Sequence, residues 1–188
     1  MFYEVIEKIM DSKDTTVGGG SASAVAGAMA AGLVGMVARL STGKDYGLTD
    51  ERYIAIAEEL DGYAAALREG AVEDTKSYLG IKAAFGLPKN TDEEKAVRRA
   101  AVEKAAVQAA TVPLNNGQTA LKIYRICQEM DGRYNTAAGS DMEAGIMLAK
   151  MAVIDTALNI EANLSLIKTP EINARFVADA EALKNSVK

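Results

Sequence analysis

The segment from Gly20 to Ala38 constrains the fold most, because it carries no charge and consists mostly of Ala, Gly and Ser. It approaches the length of a membrane span, but without a leucine-rich core its insertion into a bilayer would be only weakly favourable. Its small residues let neighbouring helices approach closely on more than one side. We therefore expect a tightly packed central helix of a bundle rather than a membrane helix.

The composition favours helices in the rest of the chain as well. Of the 188 residues, 49% are hydrophobic but only 5% are aromatic, and there is no Trp, so Ala, Val, Ile, Leu and Met must build the core. These residues favour helices over strands. A chain of this length forms one domain by default, and no linker or repeat interrupts it. The sequence predicts an all-α, single-domain helical bundle that spans residues 1–188.

Capping residues predict where the helices start. Three hydroxyl residues precede an acidic residue in the manner of a helix cap, namely Thr49 before Asp50 and Glu51, Thr91 before Glu94, and Ser140 before Glu143. We expect the first of these helices to end near Leu79 and the third near Ile167, while Pro113 kinks or ends the second. A short amphipathic helix precedes them, and Pro170 begins the last helix.

The charge and the missing residue types exclude several kinds of function. A net charge of −5 gives no electrostatic footprint for DNA or RNA. The chain has no His, which excludes a His-based triad, a His proton shuttle and the usual zinc sites. Acid–base chemistry must then fall to Asp, Glu, Lys or Tyr. The single Cys127 cannot form an internal disulfide, which fits a cytoplasmic protein.

The turn Gly18-Gly19-Gly20-Ser21 opens the central helix and is the first candidate site. Free backbone N–H groups and the helix dipole favour an anion or a carbonyl oxygen there, and glycines let a ligand approach the backbone. It is neither a P-loop nor a dinucleotide fingerprint. The alternative is a flexible turn in which Ser21 caps the helix.

Asp74 is the second candidate, because at helical spacing it projects in the same direction as the apolar Ile56. A partly buried carboxyl there has its pKa raised towards the range that a general acid or base needs. The alternative is a solvated group at a helix that has already ended.

A row of polar residues on the long helix after Ser140 is the third candidate. Its members share the side opposite a charged strip that must face water: Asp141, Asp155, Asn159 and Asn163. Such a row is either a satisfied network between helices or the lining of a site or subunit interface. Lys44, in the loop after the central helix, carries no signal by itself.

Taken together, these motifs resemble the C-terminal family of formiminotransferase-cyclodeaminases, which includes stand-alone methenyltetrahydrofolate cyclohydrolases. The likeness extends from about Val5 to Ile167 and rests on four groups of residues: Gly18-Gly19-Gly20-Ser21, Thr42-Gly43-Lys44, Asp74 with Tyr78, and Asn135 followed by Ser140-Asp141. The resemblance implies a helical homodimer that acts on the one-carbon group of tetrahydrofolate, without a tightly bound cofactor or a metal. This chain has Val17 where family members usually carry Pro.

The resemblance also implies the roles of the site residues. Asp74 matches the proposed acid–base residue, and the expected substrate-binding residues are Gly18, Gly19, Gly20, Ser21, Lys44, Tyr78, Asn135, Ser140, Asp141 and Asn159. Hydrolysis of 5,10-methenyltetrahydrofolate to 10-formyltetrahydrofolate is preferred over formiminotetrahydrofolate cyclodeamination, because the chain lacks a fused transferase domain. A non-catalytic helical protein, in which Asp74 and the Asn residues form only buried networks, is the alternative of another class.

Overall fold

The computed structural model describes all residues, 1–188, and contains six α-helices and no strand. The helices are α1 (Phe2–Met10), α2 (Gly19–Leu40), α3 (Asp50–Phe85), α4 (Asp92–Met130), α5 (Gly139–Asn163) and α6 (Pro170–Asn185). Short 3-10 turns, Thr136–Ala138 and Leu164–Leu166, precede and follow α5. The predicted all-α bundle is confirmed.

Helix α2 lies at the centre of the bundle and packs against α3, α4 and α5. Its small residues are needed there. A Cβ atom at Gly27 would lie 2.9 Å from Leu67 Cδ1, and one at Gly145 of α5 would lie 2.6 Å from Val34 Cγ2. By length and composition α2 could also cross a bilayer, with a mean hydropathy of 1.7, but 61% of that window is buried within the bundle. Core helices of soluble bundles show the same pattern.

The helix boundaries agree with the sequence in part. Thr49 and Thr91 cap α3 and α4 as predicted, and Thr91 forms a full capping box with Glu94. The predicted cap at Ser140 is wrong, because the preceding 3-10 turn leads directly into α5 and places this residue inside its first turn. Helix α3 runs beyond Leu79, and α4 continues through Pro113.

The two central helices α2 and α5 run antiparallel. Ser23, near the start of α2, contacts Asp155 in the second half of α5, and Ser41 at the end of α2 contacts Asn135 just before α5. The bundle therefore has two functionally distinct ends. We call the end that holds Gly18–Ser21 and Asp74 the glycine end, and the end that holds Lys44 and Asn135 the loop end.

Candidate active site

Asp74 and Ser21 form the centre of the glycine end. The Ser21 hydroxyl lies 2.9 Å from Asp74 Oδ2, 3.0 Å from the Ala71 carbonyl oxygen and 3.1 Å from Thr75 Oγ1. Asp74 is partly buried, as predicted, rather than solvated. Ser21 is not the helix cap, because α2 already begins at Gly19 with Gly18 as its N-cap. Its hydroxyl orients the carboxyl group instead.

Two glycines of the turn make room for these side chains. A Cβ atom at Gly20 would lie 2.7 Å from Asp74 Cγ, which is closer than real Cβ contacts come. At Gly19 a Cβ would lie 3.2 Å from Asn159 Nδ2 and 3.3 Å from Asp155 Oδ2. The carboxyl of Asp74 thus rests directly on the N-terminal backbone of α2, where a side chain at position 20 would exclude it.

The pKa of the Asp74 carboxyl is raised above its ordinary value. Burial is the largest cause, because it disfavours the charged form. Hydrogen bonds from the Ser21 side chain and backbone oppose the rise, and the nearby charge of Asp155 adds to it. The direction is the one that a general base needs in order to exchange protons near neutral pH.

A second carboxylate, Asp155, organises the wall contributed by α5. It accepts a hydrogen bond from the Ser23 hydroxyl, which also lies 2.6 Å from the Gly19 carbonyl oxygen. Asn159 Nδ2 donates to the Asp155 backbone oxygen at 2.8 Å and to Asp155 Oδ2 at 3.2 Å. Both acceptors face the amide nitrogen, so the side-chain oxygen of Asn159 is the atom left to meet a ligand.

One turn further along α5, Asn163 binds a backbone carbonyl oxygen that has no hydrogen-bond donor within α4. Pro113 has no N–H to donate to the Ala109 carbonyl oxygen. Asn163 Nδ2 donates to that oxygen instead at 3.2 Å, and to the Asn159 backbone oxygen at 2.9 Å. The side-chain oxygen of Asn163 is therefore also free to accept a hydrogen bond.

These residues line a small cleft of about 100 Å³ between the start of α2, the second half of α3 and the end of α5. Tyr78 stands at its mouth with 46% of its surface exposed. The lining residues are Thr16, Gly18, Gly19, Gly20, Asp74, Ser77, Tyr78, Ile81, Ala109, Asn159 and Asn163. No three Asp, Glu or Cys side chains lie close enough together to hold a metal ion.

The predicted residues Lys44, Asn135, Ser140 and Asp141 lie at the loop end and do not join this cleft within one chain. Helix α2 separates the two ends, and its 22 residues span about 33 Å at 1.5 Å per residue. Asn135 holds the local backbone there, because its Nδ2 donates to the Leu40 carbonyl oxygen at 3.1 Å and its Oδ1 accepts from the Ala137 N–H at 3.1 Å.

Sequence reasoning left several residues in and beside the cleft without a site role. Asp155 and Asn163 belonged to the predicted polar row, and Pro113 in a helical pattern was the signal that a carbonyl group needed another donor. Thr16, Ser77 and Ile81 gave no signal of their own. Their places depend on the packing of α3 against α2.

Known proteins resemble this chain over most of its length. The sequence model of the family described as formiminotransferase-cyclodeaminase matches residues 2–182. The chain is 33% identical over 164 residues to a methenyltetrahydrofolate cyclohydrolase of Methylorubrum extorquens, which covers 85% of this chain and 79% of that protein. It is 26% identical over 154 residues to the formimidoyltransferase-cyclodeaminase of Rattus norvegicus, covering 81% of this chain but only 28% of the rat protein.

A solved structure has the same fold. The crystal structure of formiminotetrahydrofolate cyclodeaminase from Thermotoga maritima matches with a TM-score of 0.83, covering 100% of this chain and 89% of that one. At 21% sequence identity this likeness concerns the fold alone.

Proposed function

Because the chain belongs to the formiminotransferase-cyclodeaminase family, we propose that it is a cytoplasmic folate enzyme that hydrolyses 5,10-methenyltetrahydrofolate to 10-formyltetrahydrofolate, reversibly. The observation that carries the proposal is the Asp74 carboxyl, held by Ser21 on the N-terminus of α2 and facing a cleft. The family resemblance predicted from the sequence is confirmed by the match over residues 2–182.

The reaction needs one base and a positioned water. The carbon that bridges N5 and N10 of the substrate is part of a cationic amidinium group and is already electrophilic. Asp74 takes a proton from water as the water oxygen bonds to this carbon. The bond from the carbon to N5 then breaks, the proton passes from Asp74 to N5, and the formyl group remains on N10. A second proton leaves to solvent, which balances the charge of the cationic substrate.

The electrostatics of the cleft suit such a substrate. The carboxyl group of Asp74 lines the cleft and that of Asp155 lies behind its wall beside Gly19, and both attract a cationic ring. The free oxygens of Asn159 and Asn163 can accept hydrogen bonds from the N–H groups of a pterin. Precise placement of the ring against the base contributes as much to the rate as the proton transfer itself.

Cyclodeamination of formiminotetrahydrofolate is the second candidate, because relatives of that name also match. In that reaction N10 attacks the formimino carbon and ammonia leaves, and the same ring is formed. We favour hydrolysis, since the match to the named cyclohydrolase is the more similar one and covers most of that protein.

Assays of the methenyl ring test the proposal directly. We expect the purified protein to accelerate loss of the methenyl absorbance from 5,10-methenyltetrahydrofolate, and its gain from 10-formyltetrahydrofolate under mildly acidic conditions. Because Asp74 must be ionised to accept a proton and its pKa is raised, kcat/KM for hydrolysis should fall with acidification through a value above 3.8, the ordinary value for Asp. Absence of turnover with both methenyl-folate and formimino-folate would reject the enzyme assignment.

The small size of the cleft supports the expectation that two subunits together form the site. Its volume of about 100 Å³ is well below the roughly 300–1,000 Å³ of pockets that bury a ligand of folate size. One side of the cleft is open. A second subunit can supply the missing wall.

An apolar face on α2 and α5 is suited to receive that subunit. Its large side chains are 37–66% exposed and recur at helical spacing: Met29, Met36 and Leu40 on α2, and Met147, Met151, Ile154 and Leu158 on α5. With about 190 Å² for a fully exposed side chain of this size, the face presents on the order of 600 Å² of apolar surface, which is large for a monomer and close to one side of a standard interface.

Two-fold pairing through this face would also bring opposite ends of the two subunits together. An axis across the middle of α2 places the loop end of one subunit beside the glycine end of the other. Lys44, Asn135 and Asp141 would then approach the cleft of the partner, although in their own chain they lie at the opposite end of α2, a helix about 33 Å long. Homodimerisation thus gives the two groups of predicted residues one site.

A charge in the centre of the apolar face should break the dimer. We expect the wild-type chain of 19.8 kDa to have twice that mass in solution, about 40 kDa, and Met151→Glu to be a folded monomer with at least about tenfold lower turnover. Light scattering coupled to gel filtration measures the mass. Val97→Glu is the control: it places the same charge at an exposed apolar residue of α4, outside the proposed face, and should stay dimeric. A fully active wild-type monomer would contradict the pairing.

A further inference from the structure

A basic pocket lies beyond the active-site cleft, where α3 ends and α4 begins. It has a volume of about 490 Å³ and combines apolar walls with cationic groups. The residues that matter for its chemistry are Phe85, Arg98, Arg99, Val102, Leu166 and Lys168. None of them was singled out by the sequence.

The pocket continues the cleft along the same three parts of the chain. From the cleft residue Ile81 to Phe85 is one turn of α3, or about 6 Å, at 1.5 Å per residue. On α4 the step from Ala109 back to Val102 is two turns, or about 10 Å. Beyond α5, Leu166 follows Asn163 within one turn. The cleft and the pocket are therefore neighbours along the same three parts of the chain, close enough for one extended ligand to reach both.

Two of the three cations of the pocket, Arg99 and Lys168, have no carboxylate within ion-pair distance and can bind an anion. Arg99 is exposed and forms no ion pair or hydrogen bond within the chain, and Lys168 Nζ donates only to the Ser165 carbonyl oxygen. The Arg98 guanidinium donates to the Phe85 carbonyl oxygen and has no carboxylate partner. This local excess of positive charge stands out in a chain with a net charge of −5.

One carboxylate, that of Glu103, lies in the pocket, but it already accepts hydrogen bonds from the backbone. Glu103 Oε1 accepts hydrogen bonds from the backbone N–H groups of Lys168 and Thr169, at 2.9 and 2.6 Å. It therefore fixes the chain that carries Lys168 rather than neutralising Arg99. The pocket keeps three cationic side chains against one carboxylate.

We propose that this pocket binds the anionic glutamate tail of the folate whose ring occupies the cleft. The inference rests on the proposed function and names the part of the substrate that the pocket takes. From Asp74 to Phe85 the distance along α3 is about 16 Å, which suits the extended aminobenzoyl-glutamate portion of a folate. The methylene groups of the tail pack on Phe85, Val102 and Leu166, and its carboxylates bind Arg99 and Lys168. This location differs from that of Lys44, an expected substrate-binding residue that lies at the loop end.

Equilibrium binding tests the pocket without requiring turnover. The probes are 5-formyltetrahydropteroate, which has no glutamate, and its mono- and triglutamate forms, titrated by calorimetry at low and high salt. The wild-type protein should bind the triglutamate more tightly than the tail-less form, and this preference should shrink as salt screens the charges. The variant R99Q/K168Q should lose about tenfold in affinity for the triglutamate and almost nothing for the tail-less probe.

A matched control separates the pocket from a general effect of charge. Arg125→Gln removes the same type of side chain from an exposed position about 39 Å further along α4 and should leave the preference for the tail unchanged. Equal binding of tail-less and triglutamate probes by the wild type, or an unchanged preference in R99Q/K168Q, would overturn the proposal. A preference lost in Lys44→Gln instead would place the tail at the loop end.

Binding and turnover measured on the same protein samples distinguish failure of the pocket proposal from failure of the proposed reaction. Tail-dependent binding without turnover of methenyl-folate would reject the reaction and retain the pocket. Turnover without any dependence on the tail would reject the pocket and retain the reaction. Neither binding nor turnover with any folate would reject both.

Discussion

Replacing Asp74 by Asn is expected to lower kcat/KM for methenyl-folate by roughly 10²- to 10⁴-fold, the range that a positioned general base contributes. Asn has nearly the same shape, and the Ser21 hydroxyl can still donate to its side-chain oxygen. It cannot take a proton from water. The loss should appear mainly in kcat, because the side chain still fills its place beside the bound ring.

The same substitution should leave the fold at least as stable as the wild type near neutral pH. The pKa of Asp74 is raised in the folded protein, so folding favours its protonated form. That contribution to stability is present at low pH and is lost as pH rises through the raised pKa. A permanently neutral Asn avoids the cost of burying a charge, and thermal denaturation at pH 5 and pH 8 measures the effect.

Asp61→Asn is the matched control for this experiment. Asp61 lies on the same helix, but it is exposed and forms its ion pair with Arg39. Its replacement should change neither turnover nor the pH profile. An Asp74→Asn variant that turns over like the wild type but unfolds at lower temperature would show that the carboxyl is structural and that the mechanism is wrong.

The sequence predicted the fold well because local signals and packing agree along most of the chain. The caps at Thr49 and Thr91 and the small residues of α2 each have a direct structural counterpart. Pro113 shows where local rules fail. The Ala109 carbonyl oxygen that Pro113 leaves without a donor is bonded by Asn163 from another helix, and α4 continues past Pro113, so of the two predicted outcomes the end of the helix is wrong.

The candidate site was predictable only where it depends on one helix at a time. Asp74 continues an apolar stripe of α3 and Asn159 lies on one side of α5, so both could be found from spacing. The pairing of Asp74 with Ser21, and the separation of Lys44 from both, depend on how helices far apart in sequence are arranged. Periodicity along one helix carries no information about that arrangement.

A methyl group at Gly20 should disturb the site without replacing a catalytic side chain. The backbone there is helical and has no positive φ, so Ala should by itself favour the helix. Its Cβ, however, would lie 2.7 Å from Asp74 Cγ. We expect Gly20→Ala to push the carboxyl away, to lower kcat/KM by about 10²-fold, and to destabilise the fold by about 1–3 kcal/mol.

Gly62→Ala provides the control, because this glycine is exposed within α3 and a Cβ there meets nothing within 4 Å. It should stabilise the protein by roughly 0.5–1 kcal/mol, the difference between Ala and Gly in a helix, and leave turnover unchanged. Denaturant unfolding gives both free energies.

A double-mutant cycle identifies the cause of the Gly20→Ala effect. If the loss of stability comes from contact with the Asp74 carboxyl, it should largely disappear when Asp74→Ala has already removed that group, giving a coupling energy of about 1 kcal/mol or more. Equal destabilisation in both backgrounds would instead place the conflict in the backbone of α2. In that case the close approach of Asp74 to the helix start would not be what requires a glycine at this position.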